Sequence, residues 1–117
     1  MAKVLVVDDA QFLRVRITKM LGSEGHEYQE ASNGVEAVQH YKSYQPDVVL
    51  MDITMPEMDG MDALREIRTM DPNSKVVMLT ALGQESIVLE AIKLGAKDFI
   101  VKPFEKERVL GTIDKFS

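Results

Sequence analysis

The chain has 117 residues, 45% hydrophobic and 28% charged, with a net charge of −5 and no cysteine. That length suits one domain around one core, and the absence of cysteine excludes disulfides, thiolate nucleophiles and zinc–cysteine sites. Lys and Arg are scattered, which argues against a nucleic-acid partner; no apolar run is long enough to span a membrane and no signal-peptide pattern opens the chain, so a cytoplasmic protein without an output domain is expected.

Lys3 to Asp9 reads KVLVVDD, four apolar residues closed by two adjacent carboxylates. An unbroken apolar run of this kind predicts a strand covered on both faces. Leu13, Ile17, Met20 and Leu21 then recur at helical spacing, with Gly22 and Gly25 available to end the helix. Glu27 to Ala31 is a weaker strand, nearer a sheet edge. Asn33 and Glu36 form a cap-like start to a helix carrying Ala37, Val38 and Tyr41, and Pro46 ends that connection. Val48 to Asp52 is a third strand, again apolar until it meets a carboxylate.

A loop from Ile53 to Gly60 follows, and Asp59 can cap a helix showing Ala63, Leu64 and Ile67. Asp71-Pro72-Asn73 signals a turn. Lys75 to Thr80 is a buried strand ending in a hydroxyl. Ser86 to Leu94 is helical, with Gly95 as its stop. Lys97 to Val101 is the last strand, running into Lys102-Pro103. Glu105 to Phe116 closes the chain as a helix with Val109, Ile113 and Phe116 on one side, and its start lacks a capping side chain.

Five strands alternating with five helices predict a doubly wound parallel α/β sheet with helices on both faces. Right-handed crossovers place every strand's carboxyl end on one edge, where such folds keep their functional crevice. That edge would gather Asp8 and Asp9, Asp52, Thr80 and Lys102, while the second strand adds nothing comparable. Each has a mundane role when taken singly. Asp8 or Asp9 can cap the first helix, Thr80 can be an ordinary strand-end residue, and Lys102 can be a solvated lysine. Their joint occurrence at four strand ends argues for chemistry.

Two carboxylates about 5 Å apart at an effective dielectric near 20 repel by roughly 3 kcal/mol. A divalent cation or a bound proton relieves that repulsion. Oxygen donors alone select a hard cation, Mg²⁺ before others. A carboxylate beside such an ion, with an ammonium and a hydroxyl at hand, is equipped for phosphoryl transfer. Asp52, on the central strand of the set, is the best candidate nucleophile; Asp8 and Asp9 are better placed to hold metal, with the Thr54 carbonyl as a further ligand.

The motifs VVDD (Val6 to Asp9), MDITMPEMDG (Met51 to Gly60), LTA (Leu79 to Ala81) and KDFIVKPF (Lys97 to Phe104) together resemble the receiver domain of bacterial two-component response regulators, closest to its stand-alone chemotaxis members. The resemblance covers essentially all of residues 1–117, taken as a single receiver domain. It implies a flavodoxin-like five-stranded sheet of order 2-1-3-4-5. It implies Asp52 as phosphoacceptor from a sensor histidine kinase, Mg²⁺ held by Asp8, Asp9, Asp52 and the Thr54 carbonyl, and Thr80 and Lys102 on the phosphoryl group. Phe99 would be the aromatic switch that turns inward when Thr80 shifts; many chemotaxis members carry Tyr there. The peptide before Pro103 would be cis.

The implied output is phosphorylation-dependent binding to a flagellar motor switch protein or another protein partner, by a monomer that a phosphatase can also serve. Phosphoryl would come and go without multiple-turnover enzyme activity. A phosphorelay intermediate or a receiver from a larger regulator would use the same chemistry. An Asp-nucleophile phosphatase of the haloacid-dehalogenase type would carry a second Asp two residues on, where this chain has Thr54. A flavodoxin-like nucleotide binder would need a glycine-rich phosphate loop, and none follows a strand. The helix at Ser86 to Leu94 is apolar on more than one side, through Ile87, Val88, Leu89, Ala91, Ile92 and Leu94. The surplus either covers neighbouring loops or marks a partner face beside Phe99.

Overall fold

The apolar runs Val4–Val7, Val48–Met51 and Val76–Leu79 are fully buried and form the centre of the molecule. In the computed structural model, which describes residues 1–117, they belong to β1 (Lys3–Val7), β3 (Val48–Asp52) and β4 (Val76–Thr80). β2 (Glu27–Ala31) and β5 (Asp98–Val101) complete one parallel sheet in the order β2-β1-β3-β4-β5. β2 reads EYQEA and is exposed along most of its length, so it lies at an edge where few of its side chains need cover.

Strand alternation divides the core in two. Leu5, Val7, Val49, Met51, Val76 and Met78 face α2 (Gly34–Tyr44), α3 (Gly60–Met70) and α4 (Glu85–Lys93). Val4, Val6, Leu50, Val77, Leu79 and Ile100 face α1 (Gln11–Ser23) and α5 (Lys106–Phe116). The three central strands β1, β3 and β4 need apolar residues on both faces because each face is roofed by helices, which explains their unbroken runs.

Two helices start with side-chain caps. Asn33 Oδ1 accepts the Glu36 N–H at 2.9 Å, and Glu36 reaches back to accept the Ser32 N–H and hydroxyl, both at 3.0 Å. Asp59 Oδ1 accepts the Asp62 N–H at 3.0 Å. Helix α1 runs through Gly22 to Ser23, so Gly22 does not stop it; the left-handed turn falls on Gly25, at φ 78°. Glycine tolerates an interior helical position at a modest cost, and packing of Ile17 and Leu21 on the sheet outweighs it.

The chain winds from β1 outward to β2 and then crosses to β3, so the winding direction reverses between β1 and β3. The crevice of an open parallel sheet opens beyond the carboxyl ends at such a reversal. Val7 pairs with Met51 and Asp52 with Leu79, which brings those strand ends level.

Candidate functional site

Three carboxylates meet at the reversal. Asp8 and Asp9 follow β1, Asp52 ends β3, and one oxygen from each lies within 4.8 Å of the others. Asp8 is wholly buried, Asp52 half-buried and Asp9 exposed. Such a set cannot carry three charges unaided, since each pair repels by about 3 kcal/mol at an effective dielectric near 20.

Lys102 supplies part of the answer. Its ammonium lies 3.0 Å from Asp8 Oδ2 and 3.1 Å from Asp52 Oδ1, bridging β1 and β3 from the end of β5. The Lys102–Pro103 peptide is cis, and the Lys102 N–H donates to the Thr80 carbonyl at 2.7 Å. Burial works against the ammonium, but Asp8 and Asp52 outweigh it and hold the Lys102 pKa above the ordinary lysine value. Burial, with the Asp8 charge behind it, raises the Asp52 pKa above the usual carboxylate range, and Lys102 pulls the other way. Besides the expected contact with an incoming phosphoryl group, the Lys102 ammonium clamps two of the carboxylates, a pairing with no sequence signal.

Asp8 is tied down further. Its Oδ1 accepts the Ala10 N–H at 2.9 Å, and its carbonyl accepts Arg14 Nη1 at 2.5 Å. Arg14 also pairs with Glu30 on β2 at 3.0 Å. The first helix takes Ala10 as its N-terminal boundary, where the residue itself has no capping side chain; Asp8 Oδ1 holds the Ala10 N–H instead.

Three carboxylates against one ammonium leave a formal charge of −2 on the cluster. The donors are all oxygen, and the chain has no Cys. The residues present fit a hard divalent cation, and Asp8, Asp9 and Asp52 are the side chains that would hold it. Thr54 follows two residues after Asp52, exposed between the buried Ile53 and Met55, and no backbone hydrogen bond uses its carbonyl.

The loop carrying Thr54 is pinned at both ends by glycines. Gly60 N–H donates to the Ile53 carbonyl at 2.7 Å, and a Cβ on Gly60 would collide with the Asp52 carbonyl. Gly34 N–H donates to the Met58 carbonyl at 2.8 Å, and a Cβ there would collide with that same group. The Met58 contact was invisible in sequence, because it joins a loop to a helix start 24 positions earlier.

Thr80 ends β4 and is buried, but its hydroxyl donates to Gln84 Oε1 at 2.8 Å rather than to a carboxylate. Phe99, on β5, is about one-third exposed and flanks an apolar groove shared with Thr80, Gln84, Val88 and Leu89. Of the surplus apolar residues on α4, Val88 and Ala91 are buried and Ile87 and Leu94 pack against the core, whereas Leu89 and Ile92 are exposed. The surplus therefore splits: part of it covers the core and part faces outward next to Phe99.

The family model for the response regulator receiver domain matches residues 4–114. The chain is 53% identical over 116 residues to the chemotaxis protein CheY of Thermotoga maritima, covering 98% of this chain and 97% of that one. Among solved structures it superposes with a TM-score of 0.91 and 41% identity on a CheX-CheY-BeF3-Mg+2 complex from Borrelia burgdorferi, covering 97% of this chain and 87% of that one. The receiver domain of NtrX from Brucella abortus gives a TM-score of 0.91 at 33% identity, with 96% and 95% covered. Of the longer NtrX chain, this one covers 26% at a TM-score of 0.93.

Proposed function

This chain belongs to the response regulator receiver family, and on that premise we propose that it is a single-domain switch phosphorylated on Asp52 by a histidine kinase. The observation that carries the reading is the cluster of Asp8, Asp9 and Asp52 clamped by Lys102 at the sheet's winding reversal.

An ionised Asp52 oxygen attacks the phosphorus of a phosphohistidine. The P–N bond breaks, the imidazole keeps the electron pair and takes up a proton, and an acyl phosphate forms on Asp52. Asp8, Asp9, Asp52 and the Thr54 carbonyl would hold Mg²⁺, which when bound neutralises the carboxylates and the oxygens of the transferred group. Lys102 already lies on Asp52 Oδ1, so it follows the new charge onto the phosphoryl oxygens with little movement. The Thr80 hydroxyl donates to one of those oxygens. Water then attacks phosphorus, releasing phosphate and restoring the carboxylate. One phosphoryl group is taken and lost per cycle, so the chain is a switch and not a turnover enzyme.

Phosphorylation biases two states of the β4–α4 region. Thr80 moves toward the phosphoryl group, Phe99 turns into the space it leaves, and the face formed by Leu89, Ile92 and Phe99 changes shape. The likeness to CheY supports a chemotaxis output through a flagellar motor switch protein, and the Borrelia complex supports CheX-like partners. Binding such partners requires a cytoplasmic protein.

With Mg²⁺ and acetyl phosphate, mass spectrometry of wild type should find one phosphoryl group, on Asp52, and Asp52→Asn should carry none. Equal labelling of the variant would remove Asp52 from this role. Steady hydrolysis of a phosphate ester over many turnovers would favour a phosphatase instead.

A further inference from the structure

At the carboxyl end of β4, one side-chain oxygen holds two donors at once. Gln84 Oε1 accepts the Thr80 hydroxyl at 2.8 Å and the Ala81 N–H at 2.7 Å. Backbone alternation decides where those donors face. Thr80 turns its carbonyl to the β5 side, where the Lys102 N–H donates to it; Leu79 turns its own to the β3 side, where the Ile53 N–H donates at 3.3 Å. Ala81 comes two residues after Leu79, so its N–H points to the β3 side, toward the end that carries Asp52.

Two converging donors are the ordinary receptor for an anionic oxygen. Here a neutral amide oxygen of the chain itself fills that position. We propose that Gln84 is a latch on the unphosphorylated state: its amide oxygen stands in for a phosphoryl oxygen, and it must leave before Thr80 and Ala81 can donate to phosphorylated Asp52. The inference rests on phosphorylation at Asp52 and adds a residue that regulates it.

The exchange has a favourable direction. Hydrogen bonds to an ionised acceptor are roughly twice as strong as those to a neutral one, so a phosphoryl oxygen displaces the amide. Without the anion, the amide keeps the buried Thr80 hydroxyl satisfied and the switch at rest. The latch also faces the output side. Gln84 is the residue before α4, its side chain makes no cap bond to that helix, and its carbonyl accepts the Val88 N–H at 3.0 Å. Val88 and Leu89 line the groove beside Phe99. Releasing the Gln84 side chain therefore loosens the first turn of α4 where that groove begins. A receptor occupied by its own chain lowers the apparent affinity for an incoming anion by the fraction of time it is occupied.

The test uses beryllofluoride with Mg²⁺ as the phosphoryl mimic, titrated calorimetrically into wild type, Gln84→Ala, Gln84→Met and Gln84→Glu. Met keeps the bulk without the acceptor oxygen; Glu keeps a stronger acceptor. Loss of the two competing hydrogen bonds should tighten binding by about tenfold in the Ala and Met variants, and Glu should bind more weakly than wild type. In protein without metal or mimic, the Ala81 amide should exchange slowly with solvent in wild type and Glu, and faster in Ala and Met. Unchanged affinity in the Ala and Met variants, or weaker binding in both, overturns the latch while wild type still binds and is labelled by acetyl phosphate. Wild type that neither binds nor is labelled overturns the Asp52 reading and the latch with it.

Discussion

Helix α3 starts from the Asp59 cap and buries Met61, Ala63, Leu64 and Ile67, whereas α4 starts without a side-chain cap and buries only Val88 and Ala91. Both helices roof the same face of the sheet, one following the loop after Asp52 and the other the loop after Thr80. The loop before α3 is pinned by Gly34 and Gly60 and abuts carboxylates held by Lys102. The loop before α4 is held to the strand by one amide oxygen, with Leu89 and Ile92 left exposed. The contrast teaches where the molecule can move. The carboxylate side is over-determined, by two backbone pins and by an ammonium shared between two carboxylates. The Thr80 side is held by few bonds, and weakly held elements are the ones that local free-energy differences can shift.

The contrast can be broken by truncating one leucine in each helix. Leu64→Ala should cost about 3 to 4 kcal/mol in urea unfolding, because the side chain is fully buried and leaves a cavity. Leu89→Ala should stay within about 0.5 kcal/mol, as exposed substitutions do. Comparable losses would mean that α4 is as firmly packed as α3.

Removing the clamp is the next largest test. Lys102→Met should cost about 3 kcal/mol in metal-free buffer, the low end for breaking a buried pair, since Lys102 keeps some solvent contact. Both Asp8 and Asp52 are left without their cation. Saturating Mg²⁺ should then raise the melting temperature of the variant more than that of wild type, because the ion takes over the neutralising role. Equal shifts would show that the ammonium and the metal do not share that work. A smaller effect sharpens the comparison at the helix starts: Asp59→Ala should cost about 1 kcal/mol in the same urea series. A loss near zero would remove capping from the list of what fixes α3.

Much of this was legible beforehand, for identifiable reasons. Short apolar runs without alternation, bounded by polar and turn residues, read as strands covered on both faces, and three of them ended in Asp or Thr. CheY is itself a standing instance of the rule that such sheets carry their crevice at the winding reversal, so the resemblance and the topology were not independent witnesses. Other features left no local signal. Gln84 is a polar loop residue like any other until the turn after Ala81 folds its amide back onto two donors. Lys102 and Asp8 are 94 positions apart, and nothing near either one announces the pairing. Gly22 looked like a helix stop and is a helix interior, because packing on the sheet outweighed its propensity.

By itself the order of residues determined the elements, their alternation, and which strand ends would bring acid, hydroxyl and ammonium to one edge, since side-chain period and crossover handedness act locally. Tertiary structure alone decided which of those groups neutralise one another, which donors are already taken, and which helix is left loosely roofed. Those outcomes depend on distances between parts of the chain that share no sequence neighbourhood, and the energy of a charge pair falls off inversely with that separation.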